Sequence, residues 1–205
     1  MKLIPSGQNE VVDEHSLSLL RAQAALAGTQ PITRDALLRR LRSEATTWVN
    51  AVRMQRTRLK PVDHRDIWEV EIDLHFLLVA LVRLERAVIR AVDDAGLRPA
   101  MASELEEFNT SIPGLRRMRD VGEHADEYNL SKGRRIDVPR SQVQSWGLGK
   151  SNSGGLVWKW IGQELDVDSA SDAASRLYNS FDAVLVQILG DSHRRSIDSP
   201  AATGP

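Results

Sequence analysis

Residues 67–92 read IWEVEIDLHFLLVALVRLERAVIRAV, and within them Ile67, Val70, Leu74, Leu77, Leu78, Leu81, Leu84, Val88 and Val92 recur at three- and four-residue steps. That period lays a continuous apolar stripe along a helix, predicted over 64–95 with Asp63 or a neighbour as its cap. At ~1.5 Å per residue such a helix is long enough to be the spine of a bundle. Asp66, Glu69 and Asp73 share one polar face, and Glu71 and His75 sit a turn apart on another. This spacing could hold a divalent cation, but further convergent ligands are missing, so satisfied boundary charges are the favoured reading.

More helices flank the spine. Upstream, Val12, Leu17, Leu19, Leu20, Ala24 and Leu26 predict a helix over 11–27, ended by Gly28 and Pro31. Thr33 can cap the next, in which Ala36, Leu37, Leu41, Trp48, Val49 and Val52 recur amid a basic face that includes Arg34, Arg42, Arg56 and Arg58. That face reads as solvated surface, since Asp35 and Glu44 interrupt it and no aromatic residues alternate with the arginines. Downstream, Gly96 and Pro99 end the spine, and Ser103 caps a short acidic helix from Glu104 to Asn109. Asp168 or Ser169 opens a last helix whose Ala173, Ala174, Leu177, Phe181, Leu185 and Ile188 form a broad buried face. Before it the pattern shortens and alternates. A strand near Gln142 to Trp146, a turn at Ser151–Gly155 and a strand at 156–161 predict a β-hairpin, its Trp146, Trp158 and Trp160 serving as anchors rather than base-stacking platforms.

The expected fold is therefore mainly α, an up-and-down helical bundle with a small β-hairpin elaboration before the last helix. The expected organisation is a flexible N-terminus over 1–10, a single bundle over 11–195 with the hairpin at about 141–167, and a disordered tail over 196–205. A formal net charge of −1 announces no bulk affinity for nucleic acid, so any such contact must come from local clusters. No cysteine is present, which excludes disulfide frameworks, thiolate metal sites and a cysteine nucleophile. The first ten residues lack an apolar signal core, and the longest apolar run, Phe76 to Val82, is too short for a bilayer; a cytoplasmic protein without membrane attachment is expected. Gly149-Lys150-Ser151 mimics the end of a P-loop, but position 144 is Gln and strand follows, so triphosphate binding is rejected and no cofactor is expected.

Chemistry concentrates in 112–128, Ile-Pro-Gly-Leu-Arg-Arg-Met-Arg-Asp-Val-Gly-Glu-His-Ala-Asp-Glu-Tyr. Pro113 suits a first helical turn and Asn129 a stop, predicting one helix over about 113–129. Its stripe of Leu115, Met118, Val121, Gly122 and Ala125 is slim, and Gly122 implies close approach of another backbone. Arg119 and His124 flank the stripe about 140° apart on the wheel, so they converge poorly within one helix. Two stripes packed antiparallel about a two-fold axis would instead bring Arg119 of one chain toward His124 of the other. Asp120, His124 and Tyr128, four apart, form a column in which Asp120 can orient the imidazole.

The pattern Arg119-x4-His124, with Asp120 directly after the arginine, resembles the signature of the HEPN-domain ribonucleases, compact helical bundles. Two other pairs fit the family's spacing, Arg58…His64 and Arg117…His124; Lys60-Pro61 breaks the first. Some members carry a Tyr two positions after the His, whereas Tyr128 stands four after. The resemblance implies a metal-independent endoribonuclease, in a toxin or defence role, with Arg119 and His124 acting across a homodimer and with an antitoxin or other protein partner. Asp120 would orient His124, Tyr128 hold a phosphate or pack, and Arg116 or Arg117 guide substrate. Lys132, Arg134 and Arg135 form a basic loop past which an RNA backbone could run, or an exposed connector. Such bundles also serve as catalytically silent binding modules, in which case the slim stripe is ordinary internal packing or a docking surface.

Overall fold

A computed structural model describes residues 33–60, 65–94, 96–130, 132 and 138–198. The helix expected over 11–27, the N-terminal 1–10 and the chain from 199 onward lie outside the described residues. The elements, in order, are α1 Arg34–Leu59, α2 Ile67–Asp94, α3 Arg98–Ser111, α4 Leu115–Glu123, α5 Ala125–Asn129, α6 Arg140–Val143, β1 Trp146–Lys150, β2 Leu156–Trp160, β3 Gln163–Asp166 and α7 Val167–Asp198. The expected mainly helical fold with a small sheet before the last helix is observed. No helix of the described residues is long and apolar enough to cross a membrane.

The spine stripe is the centre of the core: Val70, Leu74, Leu77, Leu78, Leu81, Leu84, Val88 and Val92 are all buried, whereas Ile67, expected in the stripe, is exposed at the first turn of α2. α1 packs along it, and α7 packs on α1 and α3. Charged pairs on the rims give the directions. Glu44, Trp48 and Arg58 of α1 meet Arg90, Arg83 and Asp73 of α2, so ascending numbers face descending ones and the pair is antiparallel. Likewise Arg42, Thr46 and Arg56 meet Asp182, Tyr178 and Asp168 of α7. Arg42, Arg56 and Arg58 of the basic face on α1 thus tie helices together rather than standing free in solvent, and hydrogen bonding to Asp182 raises the pKa of Arg42 above its ordinary value. Asp73, which is 1% exposed, is held by both Arg58 and Arg65 at 3.0 and 2.7 Å.

Several boundaries differ from expectation. The strand expected near Gln142 to Trp146 starts at Trp146, with residues 140–143 helical, and Ser103 lies inside α3 rather than capping it. Pro99 opens a helix instead of ending one: it lies in the first turn of α3, where its missing N–H costs nothing. The last helix is capped by Asp166, whose Oδ1 accepts from Ser169 N–H at 2.9 Å. The hairpin is a three-stranded antiparallel sheet in the order β1-β2-β3. Its extra strand follows a two-residue turn, Ile161-Gly162, with φ of 47° and 72° between the paired Trp160 and Gln163, the backbone that matches strand twist in tight hairpins.

Candidate functional site

α4 begins after a turn at 112–114, so Pro113 precedes the helix rather than starting it. Gly114 takes φ 81°, which favours glycine, and a Cβ there would also push the Gln163 side chain aside. Leu115, Met118 and Val121 then point into the core against α2. Gly122 admits side chains rather than a backbone: a Cβ would stand 3.1 Å from the His75 ring and 3.5 Å from that of Trp160. His75 stands edge-on to Trp158 and Trp160, which stack 5.1 Å apart, and Trp160 donates from its indole N–H to the Val143 carbonyl. The slim stripe is thus filled from within the same chain and is not a seam between copies. The tryptophans anchor the sheet, as expected.

The single helix expected over 113–129 is broken at His124, whose backbone, at φ −120° and ψ 25°, separates α4 from α5. Tyr128, beyond the break, is buried at 4% exposure, as Leu115, Met118 and Val121 are before it. Tyr128 thus packs, one of the two roles expected of it.

Around the bend, polar side chains pair with one another. Arg119 donates from Nη1 to Asp120 Oδ1 at 3.1 Å and pairs through Nη2 with Glu123. His124, with a third of its side chain exposed, holds Nδ1 at 3.2 Å from Glu127 Oε1. The carboxylate at the imidazole is thus Glu127, whereas Asp120 is engaged by Arg119. His124 Nε2 has no hydrogen-bond partner among the described residues. When Nδ1 carries the proton and donates it to Glu127, Nε2 presents a lone pair outward, the arrangement of an oriented base. Glu123 and Glu127 escaped the sequence reading, although their i+4 and i+3 offsets from Arg119 and His124 were a usable signal.

The expected substrate guides separate. Arg116 grips Glu85, which is 1% exposed, with Nε and Nη2 at 3.2 and 2.6 Å, and this hydrogen bonding raises the Arg116 pKa. It is a clamp on α2. Arg117 is half-buried, and Lys132 is exposed with its backbone N–H on the Glu127 carbonyl. Arg134 and Arg135 lie outside the described residues. On α2, Asp73 turns inward to its arginines, and His75 Nδ1 bonds the Glu71 carbonyl oxygen. No three His, Asp or Glu residues gather as metal ligands among the described residues.

No family model, curated protein or solved structure matches the chain.

Proposed function

We propose that the α4–α5 bend is one half of a metal-independent endoribonuclease centre of the HEPN kind, with a second copy supplying the other half and a toxin or defence role. The observation that carries this reading is His124: one ring nitrogen is oriented by Glu127 and the other is unengaged. RNA cleavage by this route needs a base for the 2′-hydroxyl, an acid for the departing 5′-oxygen and positive charge beside the phosphorane. His124 Nε2 takes the proton, the 2′-oxygen attacks phosphorus and the 5′-oxygen leaves as it is protonated by the second copy's imidazole. Arg119 stabilises the phosphorane, its planar fork suited to two phosphate oxygens.

The test is cleavage of structured and unstructured RNA in EDTA. Replacing a general base costs about 10²–10⁴-fold in rate, so His124→Ala should lose at least ~100-fold while melting like the wild type. Cleavage unaffected by that substitution would rule the mechanism out.

One observation favours a second reading, a silent binding module. Asp120 and Glu123 together occupy the Arg119 fork, so a phosphate must displace at least one carboxylate before it can be gripped. RNA binding without cleavage, or no RNA binding at all, would favour the module.

A further inference from the structure

The outer face of α2 carries large apolar side chains in water. Trp68, Ile72 and Phe76 are 57%, 45% and 58% exposed, and with Glu71, His75 and Val79 they line a shallow apolar groove. Their four-residue spacing keeps them within about 40° of one line along the helix. Scattered exposed hydrophobics need no explanation, but three aligned ones do.

We propose that this stripe is where a second copy of the chain docks, antiparallel, about a two-fold axis beside Ile72. The stripe is self-complementary: Trp68 and Phe76 are equidistant from Ile72, so the axis sets each Trp68 alongside the other copy's Phe76. It also sets Glu69 level with His75, while the Asp73 that falls level with Glu71 is buried and turned inward to Arg58 and Arg65, so no exposed like charges oppose one another. The area is adequate. The three side chains expose roughly 350 Å² per copy, and with the flanking stems the pair buries about 1,000 Å² in total, the low end for a specific interface. His75, at the margin of the groove, packs on Gly122, so the seam runs past the bend that carries His124. The proposal supplies the second copy that the nuclease reading requires, but it rests on the α2 stripe and not on His124.

The natural chain has no cysteine, so Ile72→Cys gives it a single thiol at the axis. A short bis-maleimide should convert this variant to a covalent dimer, while Glu106→Cys, exposed on α3, should stay monomeric under the same treatment. In sedimentation equilibrium, Trp68→Ser with Phe76→Ser should weaken wild-type association on the order of 100-fold, with the helical signal and melting unchanged. A wild type that stays monomeric at high concentration overturns the proposal. Iodide quenching, compared between wild type and Trp68→Phe, would then tell whether the face is open to another protein or covered by the chain itself. A dimer that both serines leave intact, or one that cross-links no better at position 72 than at 106, overturns it as well. RNA cleavage enters none of these readouts, so the docking face and the nuclease can fail separately.

Discussion

Arg116 stands in water at one end and on Glu85 at the other, and the buried end decides what it does. Glu85 without its partner would be an uncompensated charge in the core. Loss of a fully enclosed pair costs 3–5 kcal/mol; because Arg116 is itself largely exposed, Arg116→Ala should cost about 2 kcal/mol, read from the urea midpoint. Arg116→Lys should recover only part, since an ammonium cannot replace the two-pronged grip. The outcome separates a clamp from a substrate guide, which would alter RNA binding with no change in stability. At this scale the sequence was a partial guide. Arg119 and His124 each hold carboxylates of their own, Asp120 with Glu123 for the arginine and Glu127 for the imidazole. Their carboxylate partners were not foreseen, because Asp120 was paired with His124 on an unbroken helix, and the bend moves Glu127 into that place.

The sheet and the bend depend on each other through aromatic packing. Trp158 is fully buried, stacked on Trp160 and capped by His75, which in turn fills the space left by Gly122. Trp158→Ala would open a cavity at this junction and cost about 3–5 kcal/mol, a fall in melting temperature of roughly 10 °C. α1, α2 and α7 were legible because each carries an apolar period over six or more turns. β3 was not, since four residues, Gln-Glu-Leu-Asp, offer a single buried side chain and no alternation to read. The break at His124 was equally hidden: neither proline nor a run of β-branched residues marks it.

For the whole molecule, the proposed docking and the proposed chemistry make one joint prediction. A centre shared between copies loses specific activity when diluted below the dimer's dissociation constant, because the active fraction falls with concentration. Cleavage per chain should therefore decline on dilution and return on concentration. Turnover per chain that is constant across the range would mean that one copy suffices. The up-and-down architecture was readable from helix length and short connections, but the pairing of α1 with α7 was not, since nothing local to either helix names the other. The Arg42, Thr46 and Arg56 contacts, over a hundred residues away in the chain, reveal it.

That pairing sets a timetable for synthesis. A ribosome adding about 5–20 residues per second completes α2 several seconds before α7 exists. Through that interval the first two helices can associate, while the side of α1 destined for Leu177, Phe181 and Leu185 has nothing to rest on. The nascent chain is then most in need of a chaperone, and a message truncated before codon 167 would yield a product bound for degradation.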